Sequence, residues 1–240
     1  MTEKRLAGRV AVITGASRGL GRAAARAIAA HGAHVVLLAR TVGGLEEADD
    51  EIRSAGGSAT LVPIDLAELD RIDALGPQLL ERFGRADILV GNAGLLGTLG
   101  PLTHHDAALW ERVHRVNVSA NWRLIRTLEP LLRRSDAGRA LFVTSGAATN
   151  IIAYFGAYAT SKAALDAMVR SWAAELVDTT VRVNLLSPGP LRTAMRAEAF
   201  PGEDPATLRA PEAIMDLVLE LVSPMCTRHG ELVQAWKPPG

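Results

Sequence analysis

Short apolar runs alternate along the chain with longer stretches in which apolar residues recur every three or four positions. Residues 10–14, 34–39, 59–64, 88–90, 140–144 and 181–186 are of strand length, and several are rich in β-branched side chains. Between them, 22–31, 45–55, 69–83, 107–134 and 157–177 carry the helical period, the fourth long enough to divide in two. A helix over 211–222 and a strand over 231–236 complete the series. Near-continuous apolar strands alternating with helices are what a parallel sheet covered on both faces requires. The pattern predicts an α/β fold with a doubly wound sheet.

The length of 240 residues and an apolar share of 48% supply a large core without a metal or disulfide staple. No linker, repeat or low-complexity tract divides the chain, so 1–240 is expected to be one domain. The stretch 190–210 is the longest irregular candidate and is expected to be mobile. Twenty-six basic and 26 acidic residues balance to zero with no basic stripe, which argues against nucleic acid and anionic membranes as partners. No apolar run approaches the ~20 residues that span a bilayer, and residues 1–8 lack an apolar signal segment. Cys226 is the only cysteine, which removes any intrachain disulfide. These features read as a cytoplasmic protein. The six histidines have no companions at metal-ligand spacing, so no metal is expected.

One segment changes this picture. Thr14-Gly15-Ala16-Ser17-Arg18-Gly19-Leu20-Gly21 follows the first strand and opens the first helix. Glycines there permit positive φ and let the backbone approach a phosphate with no Cβ in the way. The free N–H groups and dipole of a helix N-terminus attract a pyrophosphate. In a strand–turn–helix setting this points to a dinucleotide rather than a plain tight turn. At the end of the second strand, Ala39 stands where an acidic residue would accept ribose hydroxyls, and Arg40 follows it. Arg18 and Arg40 can converge on one phosphate, unless they are solvated or paired with Glu46 or Glu47. That favours NADP(H), with NAD(H) as the alternative.

A second group carries acid–base chemistry. Tyr158 and Lys162, four apart on an expected helix, share one face. An ammonium beside a phenol favours the phenolate, so Lys162 is expected to lower the Tyr158 pKa. Ser145 closes the fifth strand, where its hydroxyl can hold a substrate oxygen. Singly, a Tyr/Lys pair is more often a surface contact, a serine a cap, and Asn117 a satisfied polar group.

Taken in order, TGxxxGxG at Thr14–Gly21, Asn92-Ala93-Gly94, Asn117, Ser145, Tyr158-xxx-Lys162 and Pro188-Gly189 resemble the short-chain dehydrogenase/reductase family. The resemblance reaches about Thr193 and weakens from about Glu198, where Cys226-Thr227-Arg228-His229-Gly230 replaces the familiar segment ending in TGQ. It implies a single-domain Rossmann fold: a mostly seven-stranded parallel sheet with helices on both faces. Residues 1–100 would mainly hold the cofactor and 101–240 face the substrate. The resemblance assigns cofactor contacts to Gly15, Ser17, Arg18, Gly19, Leu20, Gly21, Arg40, Asn92, Ala93, Gly94, Tyr158, Lys162, Pro188, Gly189 and Thr193. To these it adds Asp65 and Leu66 at the adenine, although Asp65 also suits a helix N-cap. Asn117, Ser145, Tyr158 and Lys162 become the catalytic set, Asn117 anchoring a water chain to Lys162. A homodimer or homotetramer would form through Trp122, Leu124, Leu128, Met168 and Trp172, unless these face their own sheet. Tyr154, Ile151, Ile152, Phe155 and Met195 are candidates for the substrate wall.

The expected activity is interconversion of a carbonyl and a secondary alcohol. A 3-oxoacyl-thioester reductase is a rival within the same chemistry, and a non-catalytic dinucleotide sensor a rival from another class. An intact Ser/Asn/Tyr/Lys set argues against the sensor, which has no use for acid–base groups.

Overall fold

The computed structural model describes residues 4–150 and 152–236. Seven strands, β1 (Val10–Thr14), β2 (His34–Ala39), β3 (Ser58–Pro63), β4 (Ile88–Gly91), β5 (Arg139–Val143), β6 (Arg182–Ser187) and β7 (Leu232–Gln234), form one sheet in the order β3-β2-β1-β4-β5-β6-β7. Every neighbouring pair is parallel. The order reverses between β1 and β4, which opens a crevice at their carboxyl ends. β1 and β5 are buried at every residue, which is why they are unbroken apolar runs rather than alternating ones.

The helices are α1 (Gly19–Ala30), α2 (Val42–Ser54), α3 (Leu69–Asp73), α4 (Leu75–Phe83), α5 (Ala107–His114), α6 (Ala120–Leu132), α7 (Gly156–Glu175), α8 (Ala194–Ala199) and α9 (Met215–Val222). On one face α1, α2 and α9 bury Ile28, Leu45 and Leu221 with Ile13 and Leu37 of the sheet. On the other, α4, α6 and α7 bury Leu79, Leu124 and Leu165 with Phe142. At the amino edge, fully buried Asp87 accepts from Val10 N (2.8 Å), Ser135 Oγ (2.6 Å) and Arg85 Nε (3.0 Å), so its charge is satisfied far from the crevice.

The structure adds detail to the expected elements at three places. The single helix over 69–83 is two, broken at Ala74, because Pro77 has no N–H to give to the carbonyl four residues back. Thr127 Oγ1 bridges the break, donating to Asp73 O (3.0 Å) and accepting from Gly76 N (3.2 Å). The long stretch 107–134 runs through a five-residue π turn, Arg115–Ser119, that joins α5 to α6 and contains Asn117. The stretch 190–210 holds two short helical pieces, α8 and a 3-10 turn at Pro205–Thr207, among turns and bends: Thr193 Oγ1 caps α8 by accepting from Arg196 N (3.2 Å), and Arg196 pairs with Glu203 at 2.5 Å.

The divergent C-terminal stretch docks on the sheet through His229, whose Nδ1 accepts from Val183 N (3.2 Å) while Nε2–H donates to Ala173 O (2.7 Å). Of the residues expected at an interface between copies, Leu124, Leu128 and Trp172 are buried against their own sheet and Met168 packs on the same core. Trp172 Nε1 donates to Glu129 Oε2 at 2.7 Å. Trp122 alone of the five is exposed.

Candidate active site

The glycine turn leaves β1 at the point where strand order reverses. Gly15 (φ +67°) and Gly19 (φ +56°) take left-handed backbone conformations. A Cβ on Gly21 would lie 2.3 Å from Gly15 O and 2.4 Å from Asn92 Nδ2, so this cradle closes only over glycine. Asn92 Nδ2 donates to Thr14 O (2.9 Å), and Thr14 Oγ1 accepts from the amides of Asn92 and Ala93 (3.0 Å each). The exits of β1 and β4 are thereby pinned together. Among the described residues no side chain caps the first amides of α1.

From this turn a cavity of about 740 Å³ runs along the carboxyl edge of the sheet, a volume typical of ligand sites. Ser17, Arg18, Gly19, Leu20, Arg40, Asp65 and Leu66 line it on the β2–β3 side. Asn92, Ala93 and Gly94 line the middle, and Ser145, Tyr158, Lys162, Pro188, Gly189 and Thr193 the β5–β6 side. Gly21 and Asn117 stand behind the wall rather than on it. An uncapped helix start, a turn that excludes any Cβ and a cavity continuous with both fit a dinucleotide.

The two arginines are not paired with Glu46 or Glu47. Glu47 pairs with Arg22 (2.8 Å), and among the described residues no side chain pairs with Arg18. Arg40 approaches Asp65 Oδ2 only to 3.8 Å. Asp65 is not the N-cap of a helix: α3 starts at Leu69, and Asp65 Oδ1 accepts from Ala67 N (2.9 Å) to hold a turn.

On the other side, α7 stacks Tyr158, Lys162 and Asp166 one turn apart. Lys162 Nζ lies 5.8 Å from the Tyr158 ring centre and donates to Val143 O at 2.7 Å. Lys162 is only 3% exposed. That burial lowers its pKa from the usual 10.5 to about 8, against the pull of the Asp166 charge. Burial likewise pushes the Tyr158 phenol up, partly opposed by a hydrogen bond with the Ser145 hydroxyl. The expected lowering of Tyr158 by Lys162 is therefore not found, because desolvation of the phenolate dominates and the ammonium is turned to a backbone carbonyl. Ser145 Oγ also accepts from Ala147 N (3.2 Å), so the capping and site roles coexist.

Asn117 is fully buried and its side chain is fully engaged. Oδ1 accepts from Leu95 N (2.7 Å), while Nδ2 donates to Leu95 O (2.9 Å) and Ser161 Oγ (2.9 Å). It fastens the segment after Gly94 to α7, beside Lys162.

Ile152, Phe155 and Met195 line the cavity as expected, together with Leu96, Ala147, Ala199, Phe200 and Trp236, which sequence reasoning did not place there. The Phe155 and Phe200 rings lie 5.7 Å apart. Ile151 falls outside the described residues. Tyr154 is not part of the wall; it is 61% exposed, with φ +73°, and its carbonyl accepts from Gly100 N (3.0 Å). Met195 and Ala199, four apart, carried a usable helical signal. Trp236, 47 residues beyond Gly189, did not, although a Cβ on Gly189 would meet its Cβ at 2.5 Å.

A family model described as short chain dehydrogenase matches residues 9–204. The chain belongs to the short-chain dehydrogenase family. The Escherichia coli (strain K12) oxidoreductase YciK is 38% identical over 217 residues, covering 89% of this chain and 86% of that protein. The solved structure of a short-chain dehydrogenase from Pseudomonas syringae superposes with a TM-score of 0.93 at 39% identity, covering 98% of each chain. One from Shigella flexneri 2a, solved as a complex with NADP, superposes at 0.94 with 36% identity, covering 98% of this chain and 99% of that one. As a short-chain dehydrogenase, the chain is an oxidoreductase. Among its described residues no helix is long and apolar enough to cross a membrane.

Proposed function

We propose that this short-chain dehydrogenase interconverts a carbonyl and a secondary alcohol with NADP(H), Tyr158 serving as general acid and base. The observation that carries this reading is the meeting of Ser145, Tyr158 and Lys162 in the cavity that also holds the uncapped glycine turn. The turn from Gly15 to Gly21 would hold the pyrophosphate, and Arg18 and Arg40 a 2′-phosphate. Asp65 and Leu66 would meet the adenine, and Asn92, Ala93 and Gly94 the middle of the dinucleotide. Lys162 and Tyr158 would meet the nicotinamide ribose, and Pro188, Gly189 and Thr193 the carboxamide. When bound, the dinucleotide supplies or accepts the hydride. The Shigella flexneri relative, complexed with NADP, supports the same cofactor here.

The chain supplies the proton and the alignment. Burial keeps the Tyr158 phenol protonated at neutral pH, the form that gives a proton to a carbonyl oxygen. Ser145 Oγ–H donates to the same oxygen and steadies the charge that develops there. Lys162, with a pKa of about 8, holds a positive charge beside the phenol and recharges it with a proton after transfer. Asn117 positions Lys162 by clamping Leu95 and Ser161. The apolar wall of Leu96, Phe155, Met195 and Phe200 favours a carbonyl flanked by apolar groups and excludes water.

A homodimer or homotetramer would use the exposed face of α6, where the Arg123 and Arg126 guanidinium groups lie 5.3 Å and 5.8 Å from the Trp122 ring centre. Light scattering of the wild type and Trp122→Ala at several concentrations tests that part. A panel of ketones and aldehydes, followed by NADPH absorbance, tests the activity. Turnover of at least one apolar carbonyl is expected, and a panel with no NADPH consumption contradicts the proposal.

A further inference from the structure

Among the described residues that line the cavity, Asp65 alone is acidic. It stands beside Arg40, on the side where the proposed 2′-phosphate would sit, because Ile64 N is bonded to Ala39 O (2.9 Å) where β2 and β3 end. A carboxylate there would repel a phosphate carrying between one and two negative charges. It would also draw Arg40 away from that phosphate. In this structure both Asp65 oxygens already have hydrogen-bond donors. Oδ1 is held by Ala67 N, and Oδ2 accepts from Arg112 Nη2 at 2.8 Å. Arg112 comes from α5, outside the cavity wall and 47 residues away in sequence. Arg40 addresses the same oxygen from 3.8 Å, beyond a hydrogen bond.

We propose that Arg112 is a specificity-determining residue for the dinucleotide: by hydrogen-bonding Asp65 Oδ2 it offsets the one lining carboxylate and holds the Arg40 guanidinium at 3.8 Å, outside a hydrogen bond with it. Without Arg112, Arg40 closes on Asp65 as the nearest cation, and a 2′-phosphate loses its partner while facing an unscreened carboxylate. A cofactor lacking that phosphate loses nothing. The inference rests on the NADP(H) reading above. All three side chains are partly exposed, so solvent screening holds the effect to a modest size.

The test is calorimetric binding of NADPH, NADH and 2′,5′-ADP to the full-length wild type, Arg112→Gln, and the double variant Asp65→Asn/Arg112→Gln. Arg112→Gln is expected to weaken NADPH and 2′,5′-ADP by roughly three- to fivefold, the upper scale of an exposed ion pair, and to leave NADH within about twofold. Removing the carboxylate charge as well restores the NADPH-to-NADH affinity ratio, since Asn keeps an oxygen for Ala67 N and the adenine while no charge remains for Arg40 to collapse onto. A wild-type preference for NADPH that Arg112→Gln leaves intact overturns the proposal alone. Equal losses for NADPH and NADH, or no recovery in the double variant, also overturn it, since Arg112 then only braces the wall. A wild type that binds NADH as tightly as NADPH overturns the cofactor reading and this proposal with it.

Discussion

Replacing Lys162 by Met should make the dinucleotide-free protein more stable at neutral pH, and the gain should vanish in alkali. Lys162 is almost fully buried, and that burial drops its pKa from 10.5 to about 8. At about 1.4 kcal/mol per pH unit, a drop of that size corresponds to about 3 kcal/mol of destabilisation wherever both states keep the lysine charged. The sign follows from proton counts. Below pH 8 folded and unfolded chains both hold the proton, so the folded state bears the full cost. Between 8 and 10.5 the unfolded chain binds more protons than the folded one, so wild-type stability gains ground as the pH rises. Above 10.5 both are neutral and the cost is gone. Methionine has a similar shape but gives up the bond to Val143 O, a loss of about 1 kcal/mol. The net gain at pH 7 is about 2 kcal/mol, or roughly 4–8 °C in melting midpoint for a chain of this length. By pH 10 the advantage should be near zero. Urea denaturation of both proteins at pH 7 and pH 10 reads this difference directly. A variant less stable at pH 7, or equally favoured at both pH values, refutes the buried charge as the cause.

Two further changes have defined outcomes. Gly21→Ala places a Cβ 2.3 Å from Gly15 O and should cost about 1–3 kcal/mol in urea denaturation, together with a loss of NADPH affinity of at least about tenfold by calorimetry. Asp166→Asn removes the charge that holds the Lys162 pKa up, so the value falls below about 8. The limb of the kcat/KM profile belonging to Lys162 should then move to lower pH, and an unmoved limb assigns it to another group.

Much of the fold was legible because its signals are local. β1 and β5 read as unbroken apolar runs since both faces of the sheet are covered, and the glycine turn announces itself through backbone needs that only glycine meets. Asp65, Arg40 and Arg18 were legible as positions, but not in their pairing. Arg112 reaches Asp65 across 47 residues, and nothing near either residue signals that contact. The direction of the Tyr158 shift was misjudged for the same reason. Spacing on α7 gives the neighbour Lys162, while burial, which decides the sign, is a property of the assembled core. Pro77 carried a local signal for the break at Ala74 that the helical period of 69–83 overrode, and its repair by Thr127 had no local signal at all. Phe200 and Trp236 were not placed at the cavity because the segment after Thr193 departs from the family pattern, although tertiary packing brings both there.

The central claim is that Tyr158 moves the proton while the rest of the cavity holds the dinucleotide. NADPH consumption and NADPH affinity measured side by side on wild type and Tyr158→Phe, with the best carbonyl from the panel, test it most directly. Turnover should fall by about 10²–10⁴-fold, the usual share of general acid–base catalysis, with NADPH affinity unchanged within about twofold. A Tyr158→Phe protein that binds NADPH normally and turns over within tenfold of wild type contradicts the account.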